Sequence, residues 1–323
     1  MPLPGSRGRA PGLAFVLLIL AVTSCSTPRD NFDFDTCGIR PRTKLPIEIA
    51  AAVPLVKASI NGAPARFILD TGSEEVVLTG PAVQRLGLAS DPRRMITTRG
   101  AGGESRRPAA IIHAMRLGGL DVPDHLAPVL PRALPLVGGG RPDGLLGVTL
   151  LSAFELDLDF PNRALTLYAG RLCPATVVPN WRGRYSTLDA AASVRGRFIV
   201  PIRVDGHAMS ALIDTGTQTS VMATDAAAVA GVDAAALAHD PRTELRGAGP
   251  ALVTTHVHVF PEVGLGDAVY HHVPLLVADR VAGNPDVILG MDYLAAHRLW
   301  LSYARRRVFI ADTGPGAAGT PGR

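Results

Sequence analysis

Aromatic residues are scarce in this chain, with two Trp, five Tyr and nine Phe among 323 residues. No basic run with interleaved aromatics is present to track a phosphate backbone. The formal charge of +4 comes from scattered Arg and reads as composition, so no nucleic-acid partner is expected. Cysteine is also sparse. The three residues form no CxxC or Cys/His spacing, so no metal site and no cofactor are expected from them. The sequence contains no HExxH and no GxSxG, which removes the commonest zinc-peptidase and serine-hydrolase signatures. "GAGGES" (100–105) and "GGGRPDG" (138–144) are glycine-rich but lack both the P-loop ending and a strand–GxGxxG–helix setting, which argues against phosphate binding. What the chain has in quantity is Gly (34) and Pro (27), favouring many short elements joined by turns over long helices. Its apolar fraction of 47% is enough for a substantial core in one large or two medium domains.

The first 25 residues stand apart. Arg7 and Arg9 precede "LAFVLLILAV" (13–22), too short for a comfortable membrane span and suited to the h-region of a secretory signal. "VTSC", Val22 to Cys25, resembles a bacterial lipobox, which implies a lipidated Cys25 and acyl chains holding a soluble domain at a membrane surface. An ordinary cleaved signal peptide or an uncleaved anchor is the other reading, and each places the protein in the periplasm or cell envelope. Export gives Cys37 and Cys173 an oxidising compartment. A disulfide between them would tie the N-terminal linker to the segment between the lobes; two free, buried thiols are the alternative.

A search for internal repeats reorganises the rest. "ILDTGSEEV" (68–76) and "LIDTGTQTS" (212–220) each set an aspartate behind two apolar residues. Gly62 lies eight residues before Asp70 and Gly206 eight before Asp214, in "ING" and "VDG", pairs that tolerate the positive φ of a tight hairpin turn. Strand-like runs flank them, so each aspartate sits at the end of a hairpin's second strand. Beyond it, "VVLTGPAVQRLGL" (76–88) parallels "SVMATDAAAVAGV" (220–232), with Pro81 as a first helical residue, Thr224 as an N-cap, and Gly87 and Gly231 as terminators. "RGAGG" (99–103) answers "RGAGP" (246–250), and "DGLLGVTLLSAFELDLDF" (143–160) answers "DVILGMDYLAAHRLWLSY" (286–303). Leu156, Leu158 and Phe160 alternate as a strand does, as do Leu299, Leu301 and Tyr303.

Two copies of one unit thus occupy residues 53–170 and 198–312. Before them come the leader (1–25) and an N-terminal linker (26–52). Residues 171–197 form an interlobe linker with room for one strand, and the tail 313–323 is Gly/Pro-rich and expected to be disordered.

These residues resemble the aspartic peptidases. "DTGS" (70–73) and "DTGT" (214–217) match that family's catalytic motif, and "LLG" (145–147) and "ILG" (288–290) its second signature. The short units are closest to the retroviral-type branch, with both halves here on one polypeptide. The resemblance implies an all-β fold of two closed, barrel-like lobes with a few short helices, related by a pseudo-twofold axis. It also implies an aspartic endopeptidase active as a monomer on extended peptide or protein substrates. Asp70 and Asp214 would form the catalytic dyad, since two adjacent carboxyls sharing a proton can serve as base and acid together; pepsin, a relative on this reading, is the standard worked case. Gly72 and Gly216 would allow close backbone approach, Ser73 and Thr217 would bond the outer carboxylate oxygens, and Thr71 and Thr215 would bond across the lobe interface. Gly100, Gly102 and Gly103, with Gly247 and Gly249, stand where relatives have flaps or nearby turns that hold substrate. Neither segment carries the Tyr of a pepsin flap, and sequence does not choose which one covers the cleft. The competing reading is a non-catalytic peptide-binding lipoprotein of the same fold. His256 and His258 share a strand face, with His271 and His272 following; histidines on a surface strand are the reading adopted over a zinc site.

Overall fold

The Asn-Gly and Asp-Gly pairs adopt the geometry a two-residue hairpin turn demands. Asn61 and Gly62 take φ of 51° and 78°, and Asp205 and Gly206 take 47° and 81°, the doubly positive turn that suits the twist of its flanking strands. In the first lobe the turn joins strands Val53–Ile60 and Ala63–Leu69, in the second Ile199–Val204 and His207–Ile213. Each aspartate directly follows the second strand of its hairpin. The computed structural model describes residues 40–100, 103–169, 178–179, 181–191, 196–246, 251–280 and 283–311, all within one compact unit, Cys37–Arg323. The leader with Cys25, the pair Cys37 and Cys173, and Gly102, Gly247 and Gly249 lie outside the described residues.

Past the aspartate both lobes run the same course. A short strand, Val77–Thr79 or Val221–Ala223, leads into a helix, Gly80–Arg85 or Thr224–Val229. Thr79 caps the first helix by accepting from Ala82 N at 3.2 Å, and Pro81 occupies the first turn, where its missing N–H costs nothing. The second helix starts at the expected cap itself, one residue early. Ala223 holds the N-cap position and Thr224 is already helical, its hydroxyl 3.4 Å from Asp279. Asp225 serves the first turn instead, its Oδ1 accepting from Ala226 N. Gly87 and Gly231 end the helices at φ of 60° and 86°.

The second signature then inserts as a strand, Gly144–Leu146 or Val287–Leu289. It lies parallel to the hairpin's second strand, with Leu146 opposite Leu69 and Leu289 opposite Ile213, and antiparallel to the short strand. In the second lobe six strands close into a barrel. The long strand Leu252–Leu265, paired with Ala268–Ala278, returns to Ile199–Val204 through Arg203–Gly264 and Val204–Val263. The first lobe keeps this strand order but divides into two sheets. Ala114, at φ 45°, separates Gly103–Ile112 from Met115–Leu117, and Pro123 and Pro128 stand at the breaks in what is one continuous strand in the other copy.

A further sheet is built from both lobes, in the order Arg40–Pro46, Ala164–Ala169, Glu155–Asp159, Arg298–Ser302, Arg307–Ala311, Tyr185–Asp189. At its centre the lobes pair antiparallel, Leu156 opposite Leu301 and Leu158 opposite Leu299. All four leucines are fully buried and join one core that runs through both lobes. On the opposite face Arg298 donates to Asp157 from Nε at 2.8 Å and Nη2 at 2.6 Å, and Trp300 Nε1 donates to Glu155 at 3.1 Å. The segment expected as linker, 26–52, carries two strands: Arg40–Pro46 at one edge of this sheet and Glu48–Ala50 paired with Val53–Leu55. Edge strands need no two-sided apolar pattern, and Arg40, Arg42 and Lys44 blunt this one. In the interlobe linker, Tyr185–Asp189 forms the sheet's other edge.

Candidate active site

Each Asp-Thr-Gly turn is held from beneath by the signature strand of its own lobe. Asp70 N donates to Leu146 O at 3.1 Å and Asp214 N to Leu289 O at 3.0 Å. The short helix after each signature points its first N–H groups at the loop: Val148 and Thr149 N donate to Ser73 and Glu74 O, and Met291 and Asp292 N to Thr217 and Gln218 O, at 2.8–3.0 Å. The glycine between strand and helix is dictated by this contact. A Cβ at Gly147 would run into the Glu75 carbonyl, with Ser73 O 2.8 Å away, and one at Gly290 would lie 2.8 Å from Thr217 O.

The two loops grip each other through their threonines. Thr71 Oγ1 donates to Ile213 O at 2.7 Å and accepts from Thr215 N at 3.1 Å; Thr215 Oγ1 donates to Leu69 O at 2.6 Å and accepts from Thr71 N at 3.1 Å. Thr71 and Thr215 are shut away from water. With the loops locked, each glycine faces the opposite aspartate, and a Cβ on Gly72 would overlap the Asp214 carboxyl while one on Gly216 would overlap that of Asp70. Only glycine lets the carboxyls come together.

The Asp70 and Asp214 carboxyls lie close enough for each to influence the other's ionisation. Asp70 Oδ1 accepts from Gly72 N at 3.0 Å and Ser73 N at 2.8 Å; Asp214 Oδ1 accepts from Gly216 N at 2.9 Å, and its Oδ2 from the Thr217 hydroxyl at 2.9 Å. Burial is the leading cause that lifts both carboxyls above the usual range. For Asp70, held well above it, the nearby Asp214 charge adds to the rise. For Asp214 the Thr217 hydroxyl, Gly216 N–H, Asp70 and the Arg197 charge all work against it. The two carboxyls titrate as one pair, and more of the neighbours that favour an anion surround Asp214.

Ser73 departs from the role the resemblance implied. Its hydroxyl donates to Glu75 O at 3.1 Å, and only its backbone N–H reaches Asp70. The hydroxyl has turned along its own loop, so Asp70 lacks the hydroxyl donor that Thr217 gives Asp214. Sequence reading also missed Ser220 and Asp292. Ser220 donates to Asp292 from N at 2.8 Å and Oγ at 2.7 Å while accepting from Gly290 N, a brace that positions 76 and 149, Val and Thr, do not build in the first lobe. Asp143 and Asp286, which open the two signature segments, accept from Arg66 N and Ser210 N at 2.9 Å. Their matched place in the repeat was the signal that could have found them.

Gly100 and Gly103 pair at the tip of the hairpin Ser90–Gly100/Gly103–Ile112. The matching segment in the second lobe joins Arg242–Arg246 to Leu252–Leu265, with Arg246 opposite Leu252. His258 Nδ1 lies 2.7 Å from Asp240 Oδ2, and among the described residues no group of three His, Cys, Asp or Glu is placed to hold a metal ion.

Two carboxyls brought together, one from each of two matching lobes, are the arrangement that characterises aspartic hydrolases. An aspartyl protease family model matches residues 56–150 and again 200–293, together more than half of the chain, and the protein belongs to that family in a tandem, two-lobed form. No curated relative matches the chain.

Proposed function

We propose that the protein is an aspartic endopeptidase in which Asp70 and Asp214 activate one water molecule against a peptide carbonyl. The carboxylate of the pair takes a proton as the water oxygen bonds to the carbonyl carbon, and the protonated carboxyl donates its proton to the carbonyl oxygen. The resulting gem-diol collapses as one hydroxyl proton returns to a carboxylate and the proton on the other carboxyl passes to the departing nitrogen, which restores the shared-proton pair. The observation that carries this reading is the convergence of one carboxyl from each lobe, in loops locked by Thr71 and Thr215 so that each glycine faces the opposite aspartate. Val53, Leu55, Ile68 and Val137 pack with Leu145 apart from the main core, and Ile68 stands two residues before Asp70. The leader-like start and "VTSC" support export and anchoring at Cys25 as part of the same proposal.

Cleavage of a mixed peptide library between pH 3 and 7 tests it. Wild-type protein should cut internal bonds, lose activity to a hydroxyl-bearing mimic of the gem-diol, and keep it in chelator. Activity per molecule should not fall on dilution, because both aspartates are in one chain. If nothing is cut and the mimic does not bind, a non-catalytic peptide-binding role replaces this one.

A further inference from the structure

The residues in matching register before the two aspartates differ in chemistry although the lobes repeat. Seventeen residues before Asp70 stands Val53; seventeen before Asp214 stands Arg197. The residues two further on match as well: Leu55 pairs with Ile68, and Ile199 with Leu212. Phe198 turns into the core, as does Val56 on its own strand, and alternation sends Arg197 and Ile199 to the other side. Val53 belongs to an apolar cluster with Leu55, Ile68 and Val137. Arg197 instead brings a guanidinium near enough to Asp214 to favour its anion. Nη1 donates to Asn284 Oδ1 at 2.9 Å, Nη2 donates to Gly283 O at 2.8 Å, and Nε is shielded from solvent with no partner. Both partners are neutral. Among the described residues no carboxylate forms an ion pair with Arg197, whereas Arg66, Arg85, Arg280, Arg298 and Arg307 each do so. Of five N–H groups in a guanidinium, two are engaged, so the fork is braced in place with further donors unspent.

We propose that Arg197 is a specificity-determining residue: the second-lobe half of the cleft selects a substrate side chain bearing a carboxylate, while the Val53 half takes an apolar one. This rests on the endopeptidase reading above. An acidic side chain would meet a held, partly desolvated guanidinium and form charge-assisted hydrogen bonds, and a neutral amide of the same shape would gain less. Preference should therefore appear on one side of the scissile bond only.

The test is a pair of peptides built on a mapped cleavage site and differing by Glu against Gln at the position opposite Arg197, scored by the ratio of kcat/KM. Wild type should favour Glu by about tenfold or more near neutral pH, and the preference should fade as pH falls below glutamate's ordinary pKa of about 4.3. In Arg197→Val, which copies the first lobe, and in the shape-conserving Arg197→Gln, the ratio should fall to about one; Arg197→Lys should keep part of it. A wild type that cuts both peptides equally, or variants that keep the Glu preference, would overturn the assignment while leaving the endopeptidase reading intact. A wild type that cuts no peptide would remove both.

Discussion

Replacing Thr71 by Val removes one hydroxyl and keeps the outline of the side chain. In the folded protein that hydroxyl donates to Ile213 O and accepts from Thr215 N, both belonging to the opposite lobe. Thr71 is 1% exposed and Thr215 0%, so water cannot take over either bond. A buried polar group left without a partner costs about 1–3 kcal/mol, and two of them give ~2–6 kcal/mol for Thr71→Val. Thr71→Ser retains the hydroxyl and forfeits a buried methyl, about 1 kcal/mol. Urea unfolding of wild type, Ser and Val variants separates these terms, with the Val midpoint falling well below that of Ser. A loss of the higher figure would consume a large part of the ~5–15 kcal/mol that holds a typical domain folded. Equal midpoints for Ser and Val would refute the claim that the threonine pair holds the lobes together.

Stability should depend on pH through the dyad. Burial raises the folded pKa of Asp70 and Asp214 above the unfolded value of about 3.9, so between those values the folded state holds more protons than the unfolded chain, and wild-type stability falls as pH rises through that window. Asp70→Asn removes this loss: its urea midpoint should exceed wild type at pH 7 and converge with it near pH 3. Gly216→Ala places a methyl where the Asp70 carboxyl lies, and a displacement of about 1 Å at the dyad should lower kcat at least ~100-fold. Arg298→Met strands Asp157, whose side chain is 2% exposed, and should cost on the order of 3 kcal/mol; a calorimetric midpoint equal to wild type would show that the cross-lobe pair is dispensable.

The parts of this molecule legible in its sequence were those encoded locally and stated twice. Asn61-Gly62 and Asp205-Gly206 specify their turns through φ alone, and the repeat's frame carries Asp70 and Asp214 to matching ends of matching hairpins. Arg40–Pro46 escaped notice because an edge strand shows one-sided burial and its partner, Ala164–Ala169, is over a hundred residues away. The Asp157–Arg298 bridge was invisible for the same reason: neither strand's pattern says that the lobes meet there. Ser73 and Thr217 looked equivalent as letters, but a hydroxyl rotates freely between its own loop and the neighbouring carboxylate, and only three-dimensional surroundings choose. Arg197 matches Val53 in register, and its placement beside Asp214 emerges only once Asn284 and Gly283 are seen to hold it.

The central claim is that one carboxyl from each lobe acts in a single shared step. Its most direct test compares the cleavage sites made in a denatured cell-envelope proteome by wild type, Asp70→Asn and Asp214→Asn, with unfolding midpoints recorded for all three. The account predicts a defined set of internal cuts for wild type and none for either variant, with both variants folded at neutral pH. Cuts that persist in either single variant would contradict it.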